Sequence, residues 1–183
     1  MTLFTKRRFA ALILALAVGA CAQPGWDPSA EQKAMDTIKA FKEADPSLNS
    51  FFGDAQGYAV FPKIGKGAVG LGGSYGVGTV YEKGRAIGLS SMTKIDLGLQ
   101  LGGKSYSQIV FFKDQDALES FKAGKVKFAA DASAIAERNS ADAAADYAGN
   151  VAVFTLSDVG MMFEASLGGA KFNFVPNAES NGG

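Results

Sequence analysis

The sequence predicts an α+β fold: a curved, mainly antiparallel β-sheet or two-layer β structure, with an N-terminal helix and one or two short helices. Three observations carry this expectation. Glycine supplies 23 of 183 residues, about 13% against a usual 7% or so, without a Gly-X-Y period. From Gly57 onward, short segments alternate apolar and polar residues with a period of two, and glycines punctuate them. Ahead of them, one stretch carries apolar residues at helical spacing. Hydrophobic types make up 48% of the chain, enough for a core, and the length suits one domain.

Taken in order, Ser29-x-x-Gln32 reads as a capping box opening a helix to about Ala44, with Met35, Ile38 and Phe41 as its apolar face. Asp45-Pro46 stops that helix, and residues 46–52 predict a second short one. Strands are expected at 58–61, 66–74, 76–82, 85–89, 94–101 and 104–112. The clearest alternation is Ile95, Leu97, Leu99, Leu101, and Gly102-Gly103 makes a two-residue hairpin loop after it. Asp114 caps a helix whose apolar face is Ala117, Leu118 and Phe121. Residues 125–130 suit a strand, 131–149 a weak helix or loop, and 151–156 and 161–174 further strands. The three Leu-Gly-Gly sequences, at Leu71, Leu101 and Leu167, fit bends or bulges, since their unequal spacings are not those of a repeat fold.

Composition excludes several chemistries. There is no histidine, which removes Ser-His and Cys-His catalysis and imidazole metal sites. One cysteine forms neither an internal disulfide nor a thiolate zinc cluster. A formal charge of zero gives no electrostatic case for nucleic acid. Residues 1–20 read as a signal peptide: Lys6, Arg7 and Arg8 precede a ten-residue apolar run, too short to span a bilayer. Val18-Gly19-Ala20-Cys21 resembles the lipobox of bacterial lipoproteins, which makes Cys21 the expected lipid anchor, carrying acyl groups such as palmitate. Ala22 stands where an aspartate signals inner-membrane retention, so the expected address is the outer membrane, with the domain facing the periplasm. Residues 21–28 are then a lipidated N-terminus and linker, 29–175 the domain, and 176–183 a flexible tail. Cleavage removes three of the 18 basic residues and no acidic one, leaving 15 against 18 and a net charge of −3.

Three motif matches fail on context. Gly98 to Ser105 satisfies the phosphate-loop pattern, but that loop must open a helix, and the β-rich YSQIVFF at 106–112 follows. Gly65 to Gly70 matches the dinucleotide glycine pattern, which likewise needs a helix that Gly72, Gly73 and Gly76 would weaken. Ser91-x-x-Lys94 needs one helical turn to bring its pair together, yet Lys94 opens a strand. The acidic clusters at Asp114/Asp116, Asp131 and Asp142/Asp146 read as caps and solvated loops rather than catalytic or metal-binding carboxylates. No nucleotide, cofactor or metal is expected, and no catalytic residue. What stands out is charge: Lys63, Lys66, Lys83, Arg85, Lys94 and Lys104 face only Glu82 and Asp96 in one Gly-rich segment, net +4. These six are the candidates for contact with anionic head groups.

Several segments resemble the SYLF family: Tyr58-Ala59-Val60-Phe61-Pro62, Gly65 to Gly70, Gly72 to Gly78, residues 93–103, SQIVFF at 107–112, KFAADASAIA at 127–136, and the Ser157, Gly160, Phe163, Leu167-Gly168-Gly169 rhythm. The resemblance spans roughly residues 32–174. It implies a lipid-binding domain without a catalytic set, phosphoinositide-binding and in some cases actin-linked in eukaryotes, and a secreted or lipid-anchored envelope protein in bacteria. A tryptophan that many eukaryotic relatives carry is replaced here by Ala86-Ile87-Gly88-Leu89, so their head-group preference does not transfer. The expected function is therefore a non-enzymatic, phospholipid-binding lipoprotein of the bacterial envelope. The alternative is a structural or protein-interaction lipoprotein that does not bind lipid specifically. Protein partners are not indicated by the sequence.

Overall fold

The computed structural model describes residues 28–69, 73–95, 105–125, 135–136, 147, 149–158, 160–164 and 169–177. The expected signal peptide, the anchor Cys21, the linker, the 96–104 segment with Lys104, the 126–130 strand and most of 131–149 lie outside them. Eight strands form one sheet in which every pairing is antiparallel, as the α+β expectation requires. They are β1 (Gly57–Val69), β2 (Gly73–Glu82), β3 (Arg85–Ile95), β4 (Tyr106–Phe112), β5 (Ile135–Ala136), β6 (Val151–Ser157), β7 (Gly160–Glu164) and β8 (Ala170–Pro176). Their order across the sheet is β5-β7-β6-β4-β1-β2-β3-β8. The helices are α1 (Pro28–Ala44), α2 (Leu48–Asp54) and α3 (Gln115–Lys122).

Several boundaries differ from the sequence expectation. The segment 66–74 is not one strand: it joins the end of β1 to the start of β2. Residues 161–174 divide into β7 and β8, which lie at opposite sides of the sheet. Strand β3 continues from Arg85 to Ile95, so Ser91 and Lys94 sit three apart in extended chain and fall on opposite faces. That geometry is incompatible with a Ser-x-x-Lys pair. Residues 106–112 are strand β4, not the helix a phosphate loop would need.

Helix α1 begins at Pro28, whose fixed φ suits a first helical position, so Ser29 lies inside the first turn rather than before it. Its buried face is also turned from the expected one. Ala34, Thr37 and Phe41 are buried and Ile38 half-buried, whereas Met35 is 54% exposed. Small residues at 34 and 37 let the helix lie close to the sheet, and the Thr37 hydroxyl donates to the Lys33 carbonyl at 2.7 Å.

Two apolar layers flank the sheet. On one face, Phe61, Ile64, Val80, Met92, Val110 and Phe112 pack with Leu118 and Phe121 of α3 and Phe172 of β8. Phe121 meets Phe112 at 4.7 Å and Phe172 at 5.0 Å between ring centroids. On the other, α1 and α2 cover Val60, Ile109, Phe111 and Phe154. There Phe51 and Phe52 of α2 meet Phe154 and Phe111 at 5.0 and 4.9 Å, both edge-on. Asp114 caps α3 as expected, one carboxylate oxygen accepting from Ala117 N at 2.9 Å and the other from Asn150 Nδ2 at 2.8 Å.

The glycines do more than make turns. A Cβ on Gly78 would overlap the Val60 carbonyl oxygen and reach Phe61 Cδ1 at 2.7 Å. This is where β1 shifts register against both β2 and β4, between Val60 or Phe61 and Ile64. Glycine therefore allows a close approach of backbone and ring inside a strand, beside a bulge.

Candidate functional site

Strand pairing sorts the six basic candidates into two groups. Glu82 pairs with Arg85 across a two-residue loop, Lys83-Gly84, in which both residues have positive φ (48° and 76°). This is the backbone of a tight hairpin turn. Lys83 and Arg85, both exposed, thus stand at one end of the sheet. At the opposite end Ser74 of β2 pairs with Lys66 on one side and Lys94 on the other, so the three occupy one row across β1, β2 and β3. Lys63, exposed, lies one position before Ile64 near that row. The two groups are eight residues apart along β2, or about 26 Å at strand rise. The structure therefore does not bring the basic residues onto one surface. It assembles Lys63, Lys66 and Lys94 at one end and leaves Lys83 and Arg85 at the other.

The end carrying Lys63, Lys66 and Lys94 has a second property that charge reading missed. Tyr75 and Val77 are 41% and 43% exposed, large apolar side chains left open to solvent on β2. They alternate with buried Ser74, Gly76 and Gly78, so they share the face covered by α1 and α2, beyond the reach of those helices. The sequence signal was the two-residue alternation of Tyr75 and Val77 in SYGVG, obscured by the glycines between them. Val175 of β8, paired with Leu89, is also exposed, at 41%.

A concavity lies at the other end, between α1 and the β2–β3 turn. Glu31, Met35, Ile38, Lys39, Lys42 and Glu43 of α1 face Tyr58, Tyr81 and Gly84 across a groove of about 590 Å³. Tyr58 and Tyr81 stack at 4.9 Å with planes 21° apart. Burial, then the charge of Glu31 and the neighbouring Tyr58, pushes the Tyr81 phenol up to about 12, so it stays protonated. Burial also raises the Tyr58 phenol.

Among the described residues no three acidic or cysteine side chains come together as metal ligands. Among them, too, no helix is long and apolar enough to cross a membrane. The cluster Asp114/Asp116 serves α3, through the Asp114 cap; Asp131, Asp142 and Asp146 lie outside the described residues.

With this geometry in hand, comparison with known proteins is informative. A family model described as Ysc84, Las17-binding protein actin regulator, matches residues 93–181. Over those residues the chain is similar to the Ysc84, or SYLF, family. The matched span covers the end of β3 through β8, and β1 and β2 complete the same sheet. The chain is also 28% identical over 138 residues to Beta cell expansion factor A of Aeromonas veronii, across 74% of its own length. It spans about half the length of that relative, 51%.

Proposed function

We propose that this protein is a non-enzymatic phospholipid-binding lipoprotein of the bacterial envelope, of the SYLF family, and that it meets anionic head groups with the sheet end bearing Lys63, Lys66 and Lys94. Similarity to the SYLF family is compatible with lipid binding. The observation that carries the finer reading is that one end of the sheet bears a basic row on the Ser74 face and exposed Tyr75 and Val77 on the opposite face. Basic residues near an anionic surface contribute about 1 kcal/mol each, and a tyrosine flanked by an aliphatic side chain suits the interfacial zone. Acylation at Cys21 would hold the domain at the periplasmic side of the outer membrane. With six residues between Cys21 and α1, at most about 21 Å when extended, such an anchor keeps the domain close to the bilayer.

The test is sedimentation of a Cys21→Ser form, which cannot be acylated, with phosphatidylglycerol and phosphatidylcholine vesicles. Recovery with anionic lipid should fall at least about tenfold in Lys63→Glu/Lys94→Glu, and much less in Lys83→Glu/Arg85→Glu. Equal recovery of the parent on both lipids refutes head-group selectivity. One observation favours a second reading: the family description names a protein, Las17, as a binding partner. On that reading the same exposed end docks a protein, and crosslinking finds protein partners while vesicles recover nothing.

A further inference from the structure

The groove beside α1 holds a feature that folding alone leaves unexplained. Tyr81 is 4% exposed, and its hydroxyl has no hydrogen-bond partner. A buried unmade hydrogen bond of this kind costs about 1–3 kcal/mol, so native structures rarely keep one without use. Phenylalanine would fill the same space, stack on Tyr58 and avoid that cost. Tyr81 lines a concavity of a size typical for small-molecule sites.

Two properties of the walls define what fits. Met35 and Ile38 give α1 an apolar strip along the groove, and Met35 is half exposed there although helix burial elsewhere uses Ala34 and Phe41. The strip lies between Glu31 and Lys42, eleven residues or about 16 Å of helix, a length that accommodates a medium acyl chain. The rim pairs two acids, Glu31 and Glu43, with two lysines, Lys39 and Lys42, and so has no net charge. Glu31 also acts on Tyr81 itself, which disfavours a negative oxygen beside the phenol and favours an uncharged acceptor.

We propose that this groove binds one single-chain acyl amphiphile with a zwitterionic head group, its alkyl chain along Met35 and Ile38 and its ester carbonyl accepting from the Tyr81 hydroxyl. The site is distinct from the basic sheet end, and only the choice of a lipid as occupant rests on the lipid-binding reading. The test is calorimetric titration of the full-length protein in its Cys21→Ser form with 1-myristoyl-lysophosphatidylcholine below its micelle concentration, beside the ether-linked analogue that lacks the carbonyl. Saturable one-to-one binding is expected, with the ester three- to tenfold tighter, about the worth of one neutral hydrogen bond. Tyr81→Phe should erase that preference while keeping or raising the melting temperature. Met35→Glu, at an exposed position, should weaken both ligands. No saturable binding, or an ester preference that survives Tyr81→Phe, overturns the proposal. Both variants should still sediment with phosphatidylglycerol vesicles like their parent. Loss of vesicle selectivity with groove binding intact overturns the surface reading alone and supports the groove.

Discussion

Gly78→Ala is the sharpest test of why the sheet is so rich in glycine. The added methyl would overlap the Val60 carbonyl oxygen and sit 2.7 and 2.9 Å from Phe61 Cδ1 and Cγ. A rotamer change can move the ring but not the carbonyl, so β1 must retreat at the point where its register is already shifted. Overpacking of this kind costs about 1–3 kcal/mol, and a backbone clash places this case near the upper end. Alanine returns about 0.5–1 kcal/mol through lower unfolded-state entropy. The net loss is about 2 kcal/mol, a fall of roughly 4–8 °C in melting temperature for a domain of this size. The control is Gly53→Ala in α2, where a Cβ meets nothing within 4 Å and helix propensity favours alanine by up to about 1 kcal/mol. Thermal unfolding followed by circular dichroism should separate the two variants in opposite directions. If Gly78→Ala melts at or above the parent temperature, close strand approach is not the reason for glycine at that position.

Two further outcomes follow from the same coordinates. Burial and the charge of Glu31 push the Tyr81 phenol from 10.0 up to about 12 in the fold, so stability is unaffected by this group below pH 10 and falls as pH rises toward 12. Urea unfolding at pH 9 and pH 11.5 should show a steeper alkaline loss for the parent than for Tyr81→Phe, and identical slopes would contradict the assignment. Asp114→Ala removes both the α3 cap and the bond from Asn150, and should cost about 1–2 kcal/mol in urea unfolding; a neutral result would mean that solvent replaces the cap without loss.

Local chemistry was legible in the sequence and long-range pairing was not. The Asp114 cap could be read because the carboxylate and the amide it accepts from are three residues apart. The α1 face was displaced because Met35 outweighs Ala34 and Thr37 in hydrophobicity, while close helix-on-sheet packing prefers the smaller pair. Residues 66–74 read as one strand because glycines erase the alternation that would mark where β1 ends and β2 begins. The basic segment looked continuous because Lys66, Arg85 and Lys94 are close in sequence, yet a ten-residue β2 puts Arg85 at the far end. The stacked Tyr58–Tyr81 pair lay beyond sequence reading altogether, since it depends on the register between β1 and β2.

Strands β7 and β8 stand six positions apart in the sheet order, about 29 Å if the sheet were flat. Yet the backbone from Glu164 to Ala170 makes only six steps, at most about 21 Å when fully drawn out. The sheet must therefore roll toward a cylinder until β7 and β8 come within that span. Phe61 and Phe172 lie on strands three positions apart, and their rings are 5.9 Å apart across the hollow side. The short connection makes the curl a requirement of chain length as well as of side-chain packing.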